Sequence, residues 1–254
     1  MPGRWYNRER SCAPEIARAE RPLTMRVAIA ALVAYLGLSV AEPAGQPRRS
    51  WTDTFDVKKA DLRSTGRNPY FVLEPGYTLT LEFGKERVVK RVLAETKLVD
   101  GVETRVVEER ETKDGRLVEI SRNFFAISAT TKDVYYFGEE VDIYTNGRVT
   151  SHEGAWRAGV KGARFGLAMP AKPVLTSAYY QEVAPGVAMD RARVVSVTER
   201  FTGPAGSFAN CVKMEETTPL EPAAKDFKLY APGVGQVTDG ALVLVKYGKE
   251  TARE

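Results

Sequence analysis

The chain has 254 residues, of which 43 % are hydrophobic and 28 % charged, the composition of a globular protein rather than a disordered one. Its formal charge of +4 gathers in residues 1–41, where six Arg stand against three Glu; of the 37 basic and 33 acidic residues, 31 and 30 remain in the rest. That near-neutral remainder has no concentrated basic face, so nucleic acid is not an expected partner.

Arg26 precedes an uncharged run, Val27–Val40, followed by Ala41 and Glu42-Pro43. A basic start, a short apolar stretch and small residues at Ser39 and Ala41 predict a secretory signal over 25–41, cleaved after Ala41. The run is shorter than the ~18 apolar residues of a spanning helix. Membrane contact is therefore expected only through this segment before cleavage, with the product periplasmic or secreted. Residues 1–24 read either as an extension upstream of a true start at Met25 or as a long basic n-region. Removal of the leader would take away Cys12 and leave Cys211 without a disulfide partner.

Residues 42–67, with Pro43, Pro47, Arg48 and Arg49, read as a linker or N-terminal arm that Trp51 and Phe55 could dock. A β domain is expected over 68–248, with a tail at 249–254. Tyr77, Leu79, Leu81 and Phe83 alternate with Thr78, Thr80 and Glu82, the period of two of a strand. Asp100-Gly101, Asp114-Gly115, Asn146-Gly147 and Asp239-Gly240 are four type I′ hairpin signals. Glu86–Leu98 fits either strand or helix, and the Asp100-Gly101 turn after it favours strand. Val102, Thr104 and Val106 face one way, so Glu103, Arg105, Glu109 and Glu111 are expected to carry charge to water. Gly159–Pro173, with two glycines inside it and prolines at 170 and 173, reads as a long surface loop. Together these features predict a mainly β protein: a curled antiparallel meander forming a half-barrel or open barrel, with few helices.

Pro204-Ala205-Gly206-Ser207-Phe208 leading into Asn210-Cys211-Val212-Lys213, and Lys228–Val237 with its Pro232-Gly233-Val234-Gly235, form a distinctive pairing. With Glu153-Gly154-Ala155-Trp156, Met169-Pro170-Ala171 and Gln181-Glu182 before Pro185-Gly186, they resemble a group of uncharacterised exported β-rich bacterial proteins. Some of that group are similar to the half-barrels of periplasmic lipoprotein carriers. The resemblance covers about Asn68 to Tyr247 and implies a fold rather than an activity. Met189 stands where the group often has an acidic residue beside Asp190.

The chain lacks a G-x-S-x-G elbow, a phosphate loop ending in Gly-Lys-Ser/Thr, and an H-E-x-x-H pair. His152 is the only histidine, which rules out a multi-histidine metal site; no metal and no cofactor is expected. His152 reads as a polar strand residue and Cys211 as a small core residue, although together they could form a nucleophile–base couple. Carboxylates are the plentiful acid–base material, among them Glu139, Glu140, Asp142, Glu215, Glu216 and Glu221. If the protein is an enzyme, Glu182 is the first choice for an essential carboxylate, with Glu153 or Asp190 as its partner, each near a strand end. In the aromatic groups Phe124-Phe125, Tyr135-Tyr136-Phe137 and Tyr179-Tyr180, neighbours must point to opposite faces. Trp156, Tyr180 and Tyr136 are the candidates to line a ligand groove. The leading functional expectation is an exported, non-enzymatic binding or carrier protein for an apolar or amphipathic ligand, a small molecule or lipid. A secreted hydrolase with paired carboxylates, plausibly a glycosidase, and an envelope interaction module are the alternatives.

Overall fold

A computed structural model describes residues 51–249. The expected extension, signal and first part of the arm, and the tail beyond 249, lie outside the described residues. Within them, one 3-10 turn (Lys59–Asp61) accompanies strands β1 (Leu62–Arg63), β2 (Gly66–Asn68), β3 (Phe71–Leu73), β4 (Tyr77–Phe83), β5 (Glu86–Val99), β6 (Val102–Lys113), β7 (Arg116–Ser128), β8 (Val134–Thr145) and β9 (Arg148–Ser151). The chain continues through β10 (Trp156–Arg157), β11 (Arg164–Met169), β12 (Ala178–Tyr180), β13 (Glu182–Val183), β14 (Arg191–Gly203), β15 (Gly206–Thr218), β16 (Glu221–Ala231), β17 (Gly235–Asp239) and β18 (Leu242–Lys249). Glu86–Leu98 is strand, as its turn requires.

Three of the four hairpin signals act as read: Asp100-Gly101, Asp114-Gly115 and Asn146-Gly147 all carry positive φ at both residues, as type I′ turns demand. The fourth does not. At Asp239-Gly240 only Gly240 has positive φ (54°), and Asp239 remains the last residue of β17, so the turn starts one residue later. The consequence is that Asp239 keeps a strand residue's side-chain direction. The expected surface loop at 159–173 is also corrected: Arg164–Met169 forms β11, and Met169 is fully buried.

One sheet of sixteen strands runs in the order β12-β14-β15-β16-β17-β18-β4-β5-β6-β7-β8-β11-β13, with β1, β9 and β10 added alongside. It curls into a nearly closed barrel with one unsealed seam. The two ends of the order, β12 and β13, are consecutive in the chain, with Gln181 alone between them. β12 pairs with β14 through Tyr179↔Ala192, and β13 pairs with β11 through Phe165↔Glu182. Gly166 sits against the Gln181 carbonyl, where a Cβ would collide with backbone, so a glycine is what allows β11 to come this close to the seam. Register shifts between Val92 and Thr96, between Asn123 and Phe125, and along β14–β15 supply the bends that let long strands curve.

The faces of the sheet separate as the paired aromatics require. Phe125 and Tyr136 point inward and stack at 4.7 Å. Phe124, Tyr135 and Phe137 point the other way, into a second core with Val99, Val102, Val106, Trp156 and Ala163. That outer core is covered in part by the arm: Phe55 meets Tyr135 edge-on, and Leu62 is 6 % exposed. Trp51 lies under the guanidinium of Arg191, 4.4 Å from the ring centre. The stretch from Trp51 thus docks on the barrel through the two aromatics singled out from the sequence.

The charge pattern of β6 runs against expectation. Arg105 is only 7 % exposed and Glu111 likewise. The bulge between Val92 and Thr96 releases carbonyls from the ladder, and Arg105 Nη1 donates to those of Ala94 (2.6 Å) and Glu95 (3.3 Å), while Nε donates to Ser64 O and Nη2 to Thr65 Oγ1. One guanidinium thereby ties the arm to the barrel wall. Just beyond, Asn68 Nδ2 donates to Lys132 O and Met169 O, and Gly233 N to Pro69 O, so the β2–β3 hairpin is strapped across one end of the barrel.

Candidate functional site

Inside the barrel is a cavity of about 530 Å³, within the size range of small-molecule sites. One part is apolar. Tyr70, Phe71 and Val72 of the strapped hairpin region meet Tyr77, Leu79, Val92, Val107, Phe125, Tyr136 and Tyr230 from the wall. The Phe71 and Phe125 rings lie 5.0 Å apart.

Two residues along each strand, on the same inward face, the lining becomes polar. Val92 gives way to Lys90, Val107 to Glu109 and then Glu111, Phe125 to Asn123 and Ser121 and then Glu119, and Tyr230 to Lys228. On β8 the step from Tyr136 is three residues, to Glu139, because the strand bulges at Gly138. Gly138 has φ 136°, and a Cβ there would meet the backbone of Trp156 and Arg157 in β10. Asn123 and Glu139 are then direct partners across the β7–β8 ladder. Tyr136 OH donates to Asn123 Oδ1 at 2.6 Å.

The polar residues form two banks. In the first, lysines and acids are paired. Lys228 Nζ is 2.9 Å from Glu216 Oε2 and 3.6 Å from Asp239 Oδ1; Lys90 Nζ is 3.7 Å from Asp239 Oδ2 and 3.1 Å from Glu109 Oε2. Gln181, at the seam, donates through Nε2 to Glu216 Oε1 at 3.1 Å. Burial pushes the Asp239 carboxyl up, but Lys228 and Lys90 outweigh it and leave the group below its ordinary range. Burial likewise works against the charge of Lys228, and Asp239 and Glu216 hold its ammonium well above the usual lysine value.

The second bank is acid against acid. Glu182 is 4 % exposed, Glu119 3 % and Glu111 7 %. Burial, then Asp190 and Glu139, push Glu182 well above the carboxylate range, and Glu182 shares a side-chain hydrogen bond with Asp190. Burial and the nearby Glu119 raise Glu139 to about 8. Burial, then Glu119 and Glu109, raise Glu111 as well. Glu182 Oε2 is buried and has no hydrogen-bond partner. This end of the lumen meets a second recess of about 420 Å³, bounded by Glu153–Ala155, Gly186–Ala188 and Thr218–Glu221.

The residues chosen from the sequence divide accordingly. Glu182 and Asp190 line the lumen together, and Glu153 lies exposed where the lumen meets the recess. Tyr136 lines the boundary between the apolar and polar parts. Trp156 and Tyr180 are not part of the lining. Trp156 is buried with the outer-core cluster, edge-on to Tyr136 at 5.3 Å, where β10 pairs with β8 at Gly138 and Glu139. Tyr180 points outward to Trp51, since its neighbour Tyr179 takes the inward face of the same strand. Cys211 is buried in a core cluster, and the His152 side chain is 69 % exposed with Nδ1 at 2.8 Å from Val141 O. Lys90, Lys228, Asp239, Glu109, Glu111 and Glu119 are lumen residues that sequence reasoning missed. The usable signal was a charge standing in an apolar column, as Lys90 does between Val88 and Val92. Comparison with protein-family models, curated proteins and solved structures finds no match.

Proposed function

We propose that this protein is an exported binding or carrier protein for an amphipathic small molecule or lipid, which it holds in the barrel lumen. The observation that carries the reading is the two-part lining. An aromatic and aliphatic pocket beneath a strapped hairpin is continuous with a buried polar belt and opens at the polar end. An apolar body in the pocket gains about 25 cal/mol per Å² removed from water, while a polar head meets groups already held in place. A barrel serving only to present an interaction surface has no use for a lumen of this size.

Hydrolysis through paired carboxylates is the second reading, favoured by one feature: burial and neighbouring acids raise Glu139 and Glu182 above the ordinary carboxylate range. The hydrogen bond between Glu182 and Asp190 sets these two closer than the roughly 5–9.5 Å that carboxyls need across a glycosidic bond. Native mass spectrometry of protein purified without detergent is expected to show a retained small molecule, released on denaturation. A chain mass without adduct after purification from its own host, together with turnover of a glycoside, would favour hydrolysis instead.

A further inference from the structure

We propose that the ligand of this lumen is an amphipathic cation, an apolar body ending in a protonated amine or guanidinium whose N–H groups reach Glu182 Oε2. The inference rests on the binding reading above and narrows it to a ligand class.

Three observations carry it. The cavity lining holds eleven Asp and Glu against three Lys, so its polar part is strongly acidic even after its lysines are paired. Lys228 and Lys90 are engaged by Glu216, Asp239 and Glu109, and the groups acting most strongly on Glu182 are the acids Asp190 and Glu139. Independently, Glu182 is 4 % exposed and its Oε2 atom has no hydrogen-bond partner, although it lines a cavity large enough for a ligand. A buried acceptor left without a donor is costly, and a charged N–H donor satisfies it better than a neutral one. Across the seam, Gln181 Oε1 is a second buried acceptor without a partner.

An organic cation fits better than a metal. Among the described residues, no three acidic, His or Cys side chains are grouped so as to hold a metal ion. A metal would need several oxygens converging on one point. An ammonium needs two or three acceptors on one side and tolerates an apolar chain on the other, which is what Tyr136, Phe125 and Val107 offer next to Glu139 and Glu182. An anionic head, such as a fatty acid carboxylate, would find the Lys90 and Lys228 ammonium groups already paired and acids at the remaining polar positions.

The test is calorimetric titration of the full protein with octylammonium, 1-octanol and octanoate, each below its aggregation limit, and with Ca²⁺ alone. The expected result is that octylammonium binds at least about tenfold more tightly than octanol or octanoate, the gain from one charge-assisted hydrogen bond. Glu182→Gln is expected to remove that preference, so that octylammonium and octanol bind the variant within a few-fold of each other, and Glu139→Gln to weaken it in the same sense. The wild-type series decides the matter even if a variant folds poorly. Octanol or octanoate binding as tightly as octylammonium overturns the cation inference but leaves the lumen as a binding site. Tight Ca²⁺ binding that displaces octylammonium overturns it in favour of a metal. Failure of all three octyl compounds to bind overturns both the inference and the carrier reading.

Discussion

Raising the pH from about 5 to about 8.5 is expected to destabilise the folded protein, with a clear fall in its urea midpoint. The cause is the acid bank. Glu139 sits at about 8 in the fold against 4.5 as its ordinary value, and Glu182, Glu111 and Glu216 are also raised, all chiefly by burial. An acid whose pKa is raised by folding keeps its proton in the native state after the unfolded chain has released it. The native state therefore binds more protons between the two values, and stability falls as pH rises through that window. At about 1.4 kcal/mol per unit for each group, the loss is several kcal/mol, and it levels off above the folded values. Asp239, whose carboxyl is lowered, gives stability that disappears only as the pH falls below its ordinary value of 3.8, outside the window. Lys228 stays charged throughout, so its contribution does not change either. Glu139→Gln is expected to flatten the profile and to raise stability at the alkaline end. A urea midpoint constant between the two pH values would contradict the placement of these acids.

Lys228→Met is expected to be the most damaging single substitution in the lumen. The ammonium is 2.9 Å from Glu216 and 3.6 Å from Asp239, with side-chain exposures of 10 % for Lys228 and 1 % for Glu216. Its removal leaves the buried Glu216 without its ammonium partner and the half-buried Asp239 with Lys90 alone, a change that costs about 3–5 kcal/mol. Adding Glu216→Gln to the variant is expected to recover part of the loss, because the amide needs no ammonium and can still accept from Gln181. Chemical unfolding of the two variants checks both statements. A loss below about 1 kcal/mol for Lys228→Met would mean that water reaches the pair and does the work of the lysine.

The fold was readable because its turns are local. Asp100-Gly101, Asp114-Gly115 and Asn146-Gly147 encode positive φ in two residues, and the strands between them alternate with period two, so a curled antiparallel barrel followed without any long-range information. What could not be read was which face of a strand turns inward. Val102, Thr104 and Val106 look like a core face, and they are one, but it is the outer core beneath the arm. The opposite face of β6 leads from Val107 to Glu109 and Glu111 in the lumen. A barrel with apolar packing on both sides of its wall hides its interior from a reading of alternation. The candidate site was half legible. Glu182 and Asp190 were reachable from their positions at strand ends. Lys90 and Lys228 were not, because their partners come from other strands: Lys90 meets Asp239 of β17, and Lys228 meets Glu216 of β15. Trp156 was a reasonable aromatic to choose. Its burial with the outer-core cluster goes with the bulge at Gly138, one irregular backbone position beside which Glu139 lines the lumen and β10 pairs closely with β8.

The central claim, that the lumen takes up an amphipathic ligand, is tested most directly by methyl-detected NMR during titration with a neutral amphiphile such as 1-octanol. Val106 and Val107 are adjacent in sequence but face the outer core and the lumen respectively. The expected result is saturable shifts of the Val107, Val92, Val72 and Leu79 methyls, with those of Val106, Val102 and Val99 unmoved. Shifts confined to the outer set, or to exposed methyls such as Val174 and Leu175, with the lumen set unchanged, would contradict it.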